Sequence, residues 1–266
     1  MPQIRRTSIR IKSTTRPARA TPGIRRVCVI GGAGHVGLPL ALLIAEAGFD
    51  VDIVDINKSA LKEIRAGRMP FREEGGEELL KKVLLSGRLR LSASQIPIRH
   101  ADVVICVIGT PVDEFLSPKT AAFFRTIANC RPWFRAGQTL ILRSTIYPGL
   151  SARIDRLFRE EKTGVHVAYC PERVAQGYSL RESRELPQII SAHDAQGLAA
   201  ARAVFGKFCK SLIELEPIET ELAKLFCNSY RYIKFAVANQ FDILCREAGV
   251  DYRRVHDAMT KDYPRV

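Results

Sequence analysis

Val27-Cys28-Val29-Ile30-Gly31-Gly32-Ala33-Gly34-His35-Val36-Gly37 runs from a β-branched apolar stretch into a glycine-rich turn. It continues as Val36–Ala47, apolar at helical spacing and stopped by Gly48. This is a strand, a tight turn and a helix, with Gly32, Gly34 and Gly37 in the G-x-G-x-x-G pattern. Gly32 permits the turn, Gly34 lets the backbone approach a pyrophosphate, and Gly37 lets the helix pack closely on the sheet. The helix N-terminus offers free N–H groups and a dipole that favours an anion. Asp55 ends the next strand-like run, Val51–Val54, 23 residues after Gly32. A carboxylate there accepts hydrogen bonds from ribose hydroxyls and repels a 2′-phosphate, so the expected cofactor is NAD, not NADP. The alternative is a glycine turn beside a capping aspartate.

The alternation continues outward from this unit. Helical patterns over Ser59–Arg65 and Glu77–Leu85 lead to a short strand at Leu89–Leu91. Val103–Ile108 is a continuous apolar run, as a strand covered on both faces should be. Thr120–Cys130 reads as a helix, Thr139–Leu142 as a strand, Ser151–Glu160 as a helix and Val165–Tyr169 as a strand. Strands alternating with helices predict an α/β fold, a doubly wound Rossmann sheet. After Pro171 the pattern loosens: strands at Gln188–Ser191 and Leu212–Leu215 flank a helix over Ala195–Phe208. One long helix is expected over Glu219–Ala248 and a short one over Tyr252–Met259. The expected division is a basic tail over 1–25, a NAD-binding domain over 26–216 and an α-helical central (dimerisation) region over 217–266.

Bulk composition narrows the function classes. The 266 residues carry a formal charge of +13, but residues 1–26 hold eight basic side chains and no acidic one, leaving +5 for the other 240. The folded part is only mildly basic and shows no interleaving of aromatic and basic residues, so no nucleic-acid partner is expected. The tail reads as a transit peptide or as a disordered basic extension; the absence of an apolar core or amphipathic pattern favours the second. No apolar run approaches the ~18 residues of a membrane span. The seven cysteines are scattered with no Cys-x-x-Cys pair, which predicts neither a disulfide framework nor a metal site and fits the reducing cytoplasm.

Ligands of open α/β sheets bind beyond the carboxyl ends of the strands. Gly109-Thr110-Pro111 follows one strand, Arg143-Ser144-Thr145 the next, and Cys170-Pro171-Glu172-Arg173-Val174 the third. Thr110 and Thr145 also suit ordinary turns, and Glu172 a solvated loop. Together they outline a crevice, with Glu172 across from the cofactor. On the long helix, Lys224, Asn228 and Arg231 stand at i, i+4 and i+7, on one face. That face is either simply wet or turned to the crevice, where a desolvated lysine moves protons near neutral pH. The rest of the helix is so apolar that burial over most of its surface is expected.

These pieces, in this order, resemble the UDP-glucose/GDP-mannose dehydrogenase family, nearest to its UDP-HexNAc (UDP-N-acetylmannosamine) branch. The resemblance runs from Val27 to Val266. It rests on the glycine loop at 31–37, Asp55 and Asn57, Gly109-Thr110-Pro111, Ser144–Gly149, Cys170–Val174, the Glu221–Arg231 stretch and the terminal Tyr263-Pro264-Arg265-Val266. It implies NAD-dependent oxidation of the C6 hydroxyl of a nucleotide sugar, UDP-HexNAc or UDP-glucose, to the uronate. By motif, Lys224 transfers the proton, Asn228 orients the substrate and Glu172 helps activate water. Arg173, Val174, Arg231 and Arg265 match substrate contacts. His35, Val36, Asp55, Thr110 and Thr145 match cofactor contacts. Two positions depart: Tyr263 replaces the histidine usual in the HexNAc branch, and Gln176 the glutamate of the UDP-glucose branch.

The resemblance further implies a homodimer through the long helix, and a nucleophilic cysteine in a glycine-rich loop beyond it, which this sequence does not contain. The chain is therefore expected to lack the nucleophile and the nucleotide-binding third domain. Two other readings stand beside this one: a β-hydroxyacid dehydrogenase relative, which also joins a Rossmann domain to a helical domain with a lysine, and a non-catalytic NAD-binding or dimerising module.

Overall fold

The computed structural model describes residues 13–14, 23–109 and 120–263; Thr110 and Arg265 lie outside the described residues. In chain order the elements are β1 (Ser13–Thr14), β2 (Arg26–Ile30), α1 (Gly37–Glu46), β3 (Asp50–Val54), α2 (Lys58–Arg65), α3 (Gly76–Leu85) and β4 (Leu89–Ser92). Then follow β5 (Val103–Cys106), α4 (Thr120–Cys130), β6 (Thr139–Leu142), α5 (Leu150–Glu160) and β7 (His166–Tyr169). The remainder comprises α6 (Ser179–Glu185), β8 (Gln188–Ala192), α7 (Ala195–Phe205), β9 (Leu212–Glu214), α8 (Pro217–Glu247) and α9 (Tyr252–Thr260).

The strands form one sheet in the order β1-β9-β8-β7-β6-β5-β2-β3-β4. From β4 to β7 every pairing is parallel. The chain leaves β2 for β3 on one side and returns to β5 on the other, so a crevice opens where β2 and β5 end. Beyond β7 the sheet turns mixed: β8 is antiparallel to β7, and β9 parallel to β8. At the far edge Ser13 and Thr14 pair antiparallel with Ile213 and Leu212, inside the stretch expected to be a disordered tail. Edge pairing uses backbone groups alone, so a basic composition does not forbid it.

Alternation along the strands divides the core in two. Val27 and Val29 pack with α1, α2, α3 and α7 on one face. Cys28 and Ile30 pack with α4 and α5 on the other. Helices on both faces explain why β5 is apolar without interruption and why every residue of β6 is buried. In α1, every residue from Gly37 to Ala45 is buried. Each fully buried Leu or Ile there contributes about 1.5–3 kcal/mol relative to exposure.

Two boundaries moved by two or more residues for a physical reason, and one helix was not expected. β5 stops at Cys106, two residues short of the expected Ile108, where the chain passes Gly31. α7 stops at Phe205 with Gly206 as its cap, not at Phe208. α6 had no local signal: its N-terminus is capped from 107 residues away, the Leu180 N–H donating to Glu73 Oε1 at 2.9 Å.

The chain divides into two units, Met1–Lys224 and Leu225–Val266. The second consists of the remainder of α8 and α9. Within it the expected burial of the long helix is not met in the single chain: Phe226, Tyr230, Tyr232, Ile233, Phe235 and Leu244 are all exposed. Periodicity reports which side chains are apolar, not what covers them. Among the described residues no helix is long and apolar enough to cross a membrane.

Candidate active site

The glycine loop is held by its neighbours. Gly31 has φ +76°, and a Cβ there would lie 2.1 Å from the Val107 carbonyl oxygen. A Cβ at Gly32 would meet Val29 O and Ile53 at 2.9 Å, and one at Gly37 would stand 2.3 Å from Gly31 O. These three glycines are required by the protein's own packing. Gly34 differs: the nearest atom to a Cβ there is Gly31 O at 3.7 Å. The fold leaves that space open, which is the cradle a pyrophosphate needs. Gly31 was missed by the sequence reading, although the doubled glycine was its signal.

Asp55 directly follows β3, beside this loop. Its Oδ2 accepts from Ala33 N at 2.9 Å and its Oδ1 from Asn57 N at 2.9 Å. A carboxylate has about four acceptor sites, so two backbone donors leave room for ribose hydroxyls. Asn57 in turn caps α2 through its side chain and Ala60 N.

A cleft of about 330 Å³ gathers the exits of three strands around the loop. Gly31, Gly34, His35, Val36 and Gly37 form one wall; Val107, Ile108 and Gly109 continue from β5; Arg143, Ser144 and Thr145 from β6; Glu172 follows β7. Ser144 locks two exits together, its hydroxyl donating to Ile108 O at 2.6 Å and accepting from Ile108 N at 3.1 Å. His35 lies against Phe71, ring centroids 4.1 Å apart. The cleft thus brings together His35, Val36, Gly34, Gly37, Thr145 and Glu172, while Gly32 and Asp55 do not line it. The arrangement fits NAD: an anion cradle, a helix N-terminus, a ribose acceptor, and a carboxylate opposite the loop.

Beneath the exits lies a buried cation that the sequence reading noted without a role. The Arg143 guanidinium donates through Nη1 to Cys170 O and Gln188 Oε1, both at 3.1 Å, and sits 5.2 Å from the Phe205 ring centre. Burial lowers its pKa from the ordinary 12.5, opposed by the charge of Glu172. Gln188 also donates to Pro171 O at 3.0 Å. Arg143 and Gln188 therefore hold the backbone that delivers Glu172. An arginine directly after an apolar strand was the available signal.

The remaining expected residues are placed as follows. Glu172 Oε1 accepts from Val174 N, and Arg173 Nη2 donates to Pro187 O. Arg173, Val174 and Lys224 do not line this cleft. Lys224 is buried, 6% exposed, so it is not part of a wet face. In the second unit Asn228 is half-buried and Arg231 exposed, with Arg231 Nη2 donating to Asn228 Oδ1 at 3.3 Å. Glu221, also missed, is buried on the first turns of α8 with both oxygens bound to backbone.

Comparison with known proteins agrees with this geometry. Residues 25–209 match the NAD binding domain of the UDP-glucose/GDP-mannose dehydrogenase family, and residues 218–265 match that family's central domain. The chain is 33% identical over 246 residues to a UDP-N-acetyl-D-mannosamine dehydrogenase of Methanocaldococcus jannaschii, covering 91% of this chain and 56% of that protein. It resembles the solved UDP-D-ManNAc dehydrogenase of Pyrococcus horikoshii with a TM-score of 0.83 and 28% identity, over 91% of this chain and 58% of that one. A Staphylococcus aureus UDP-N-acetyl-mannosamine dehydrogenase gives a TM-score of 0.78 at 28% identity, over 91% and 59% of the two chains. The chain thus spans little more than half the length of these relatives. With the glycine cradle, Asp55 and both matched regions in place, this chain belongs to the UDP-glucose/GDP-mannose dehydrogenase family, and its cofactor is NAD.

Proposed function

We propose that the chain carries the cofactor-binding and proton-transfer machinery for oxidising the C6 hydroxyl of a nucleotide sugar, UDP-HexNAc or UDP-glucose, towards the uronate. The observation that carries this reading is the cleft in which the glycine loop, Thr145 and Glu172 meet at one sheet edge. The named activities of the relatives support it. NAD, when bound, accepts the hydride. Asp55 binds the ribose, Gly32, Gly34 and Gly37 shape the phosphate turn, and His35, Val36, Thr110 and Thr145 complete the cofactor contacts. Lys224 takes the proton from O6 of the sugar through Nζ. Asn228 orients that oxygen, Glu172 helps activate water, and Arg173, Val174, Arg231 and Arg265 hold the substrate. The divisions at 26–216 and 217–266 and a homodimer through α8 belong to the same reading. All seven cysteines are free thiols, in keeping with the reducing cytoplasm.

One observation favours a second reading, a NAD-binding module without completed chemistry: among the described residues no cysteine lines the cleft. Cys170, at the correct sheet edge, is wholly buried, and burial pushes its thiol up to about 12. A thiol so protonated is not a nucleophile near neutral pH.

The deciding experiment supplies NADH and the C6 aldehyde of UDP-N-acetylmannosamine or UDP-glucose. Reduction of the aldehyde is the reverse of the first oxidation and needs a proton at O6 but no thiol. The proposed function requires NADH consumption that Lys224→Met abolishes. NADH binding without consumption supports the module instead.

A further inference from the structure

Glu221 stands three residues before Lys224, on the same face of the first turns of α8. It is 1% exposed. Its carboxylate reaches across to the start of α5, where Oε2 accepts from Gly149 N at 2.6 Å and Oε1 from Ser151 N at 2.9 Å. α5 has no cap of its own: Gly149, at φ +88°, offers no side chain to the free N–H groups. A buried carboxylate is therefore the N-cap of a helix 70 residues away in sequence. Charge-assisted bonds of this kind are roughly twice as strong as neutral ones. The segment leading into α5 is the one that carries Ser144 and Thr145 into the cleft, and Ser144 is locked to Ile108 at its other end.

We infer that Glu221 is a positioning residue that joins the Ser144–Gly149 turn of the cofactor cleft to the helix bearing Lys224, so that ordering of the turn by NAD is transmitted to the lysine. The carboxylate touches neither cofactor nor substrate; it acts by making the turn and the first turns of α8 one rigid piece. The inference rests on the proposed reading of Thr145 as a cofactor contact and of Lys224 as the proton-transfer group.

The test is amide hydrogen exchange of the full chain with and without saturating NAD, with NAD affinity measured alongside. In the wild type, NAD should slow exchange in residues 144–151 and in residues 217–224 together. Glu221→Gln keeps one acceptor and turns an NH2 towards the other donor, which breaks one of the two bonds. It should keep NAD-dependent protection at 144–151, lose it at 217–224, and weaken NAD binding roughly five- to tenfold, within the ordinary range of coupling between sites. Leu80→Ala, a core cavity on α3, controls for general loosening and should leave both regions protected. If Glu221→Gln does not fold, Glu221→Asp, which withdraws both oxygens by one methylene, is read the same way. Protection at 217–224 that survives in the folded variant overturns the inference, as does wild-type protection confined to 144–151. Absence of protection at 144–151 in the wild type overturns the Thr145 contact and the inference with it.

Discussion

The Asp55 carboxylate accepts a hydrogen bond from the Ala33 amide at 2.9 Å, so the end of β3 and the glycine loop are tied together. The negative charge expected to meet the adenosine ribose is thereby fixed against the phosphate-binding turn. NAD should bind at least about a hundredfold more tightly than NADP, since a carboxylate about 4 Å from a phosphate is opposed by roughly 4 kcal/mol per pair of unit charges at an effective dielectric of 20. Competitive titration measures the ratio, and equal affinities would remove Asp55 from the ribose site.

Two glycines of the same loop should respond in opposite ways. Gly34→Val should abolish NAD binding with little change in melting temperature, because a Cβ at Gly34 meets no protein atom closer than 3.7 Å. Gly37→Ala should lower the melting temperature by several degrees, because its Cβ would stand 2.3 Å from Gly31 O. Calorimetry and NAD titration on both variants separate ligand space from packing space.

Self-association should proceed through α8. Phe226, Tyr230, Ile233 and Val237 are all exposed and recur at i, i+4, i+7 and i+11, on one face of the helix. A contiguous apolar surface of this kind marks an interaction site. Light scattering at tens of micromolar should give the mass of a dimer, and Ile233→Glu should return a monomer. A monomeric wild type would refute the assignment.

With NAD and UDP-N-acetylmannosamine the chain should not sustain two NADH per sugar. The second oxidation needs a covalent adduct, and the thiols of the first unit are withdrawn: Cys28, Cys106, Cys130 and Cys170 are buried, and burial pushes Cys209 up to about 12. On α8 the exposed Cys227 points about 100° away from its neighbour Asn228. Sustained formation of two NADH together with the uronate would make Cys170 the residue to replace.

Acid should weaken the start of α5. Burial lowers the pKa of His193 from its ordinary 6.5, and its Nε2 lies 3.0 Å from Ser151 Oγ. Above pH 6.5 the imidazole is neutral in folded and unfolded chains alike; below it the unfolded chain binds the proton more readily. Stability should therefore fall as pH drops below 6.5 through the lower folded value. His193→Gln should flatten that part of a melting-temperature profile, and an unchanged slope would assign it to other groups.

What the sequence determined by itself was local. A β-branched run, a glycine turn and an apolar helix between Val27 and Gly48 specify their shapes through steric limits on neighbouring residues, and the parallel sheet follows from their repetition. The motifs at Gly109, Ser144 and Cys170 were legible because a strand exit is a change of composition along the chain. Tertiary structure alone decided which distant atoms satisfy which backbone groups. α6 begins where Glu73 meets Leu180 N, and α5 where Glu221 meets Gly149 and Ser151, although neither helix carries a cap nearby. Gly31 needs to be glycine only because Val107 O passes beside it. Lys224 is buried and Phe226, two residues later, is exposed. Periodicity placed both on one helix but carried no record of what packs against it, because hydrogen bonds and van der Waals contacts depend on proximity in space, which the order of residues does not contain.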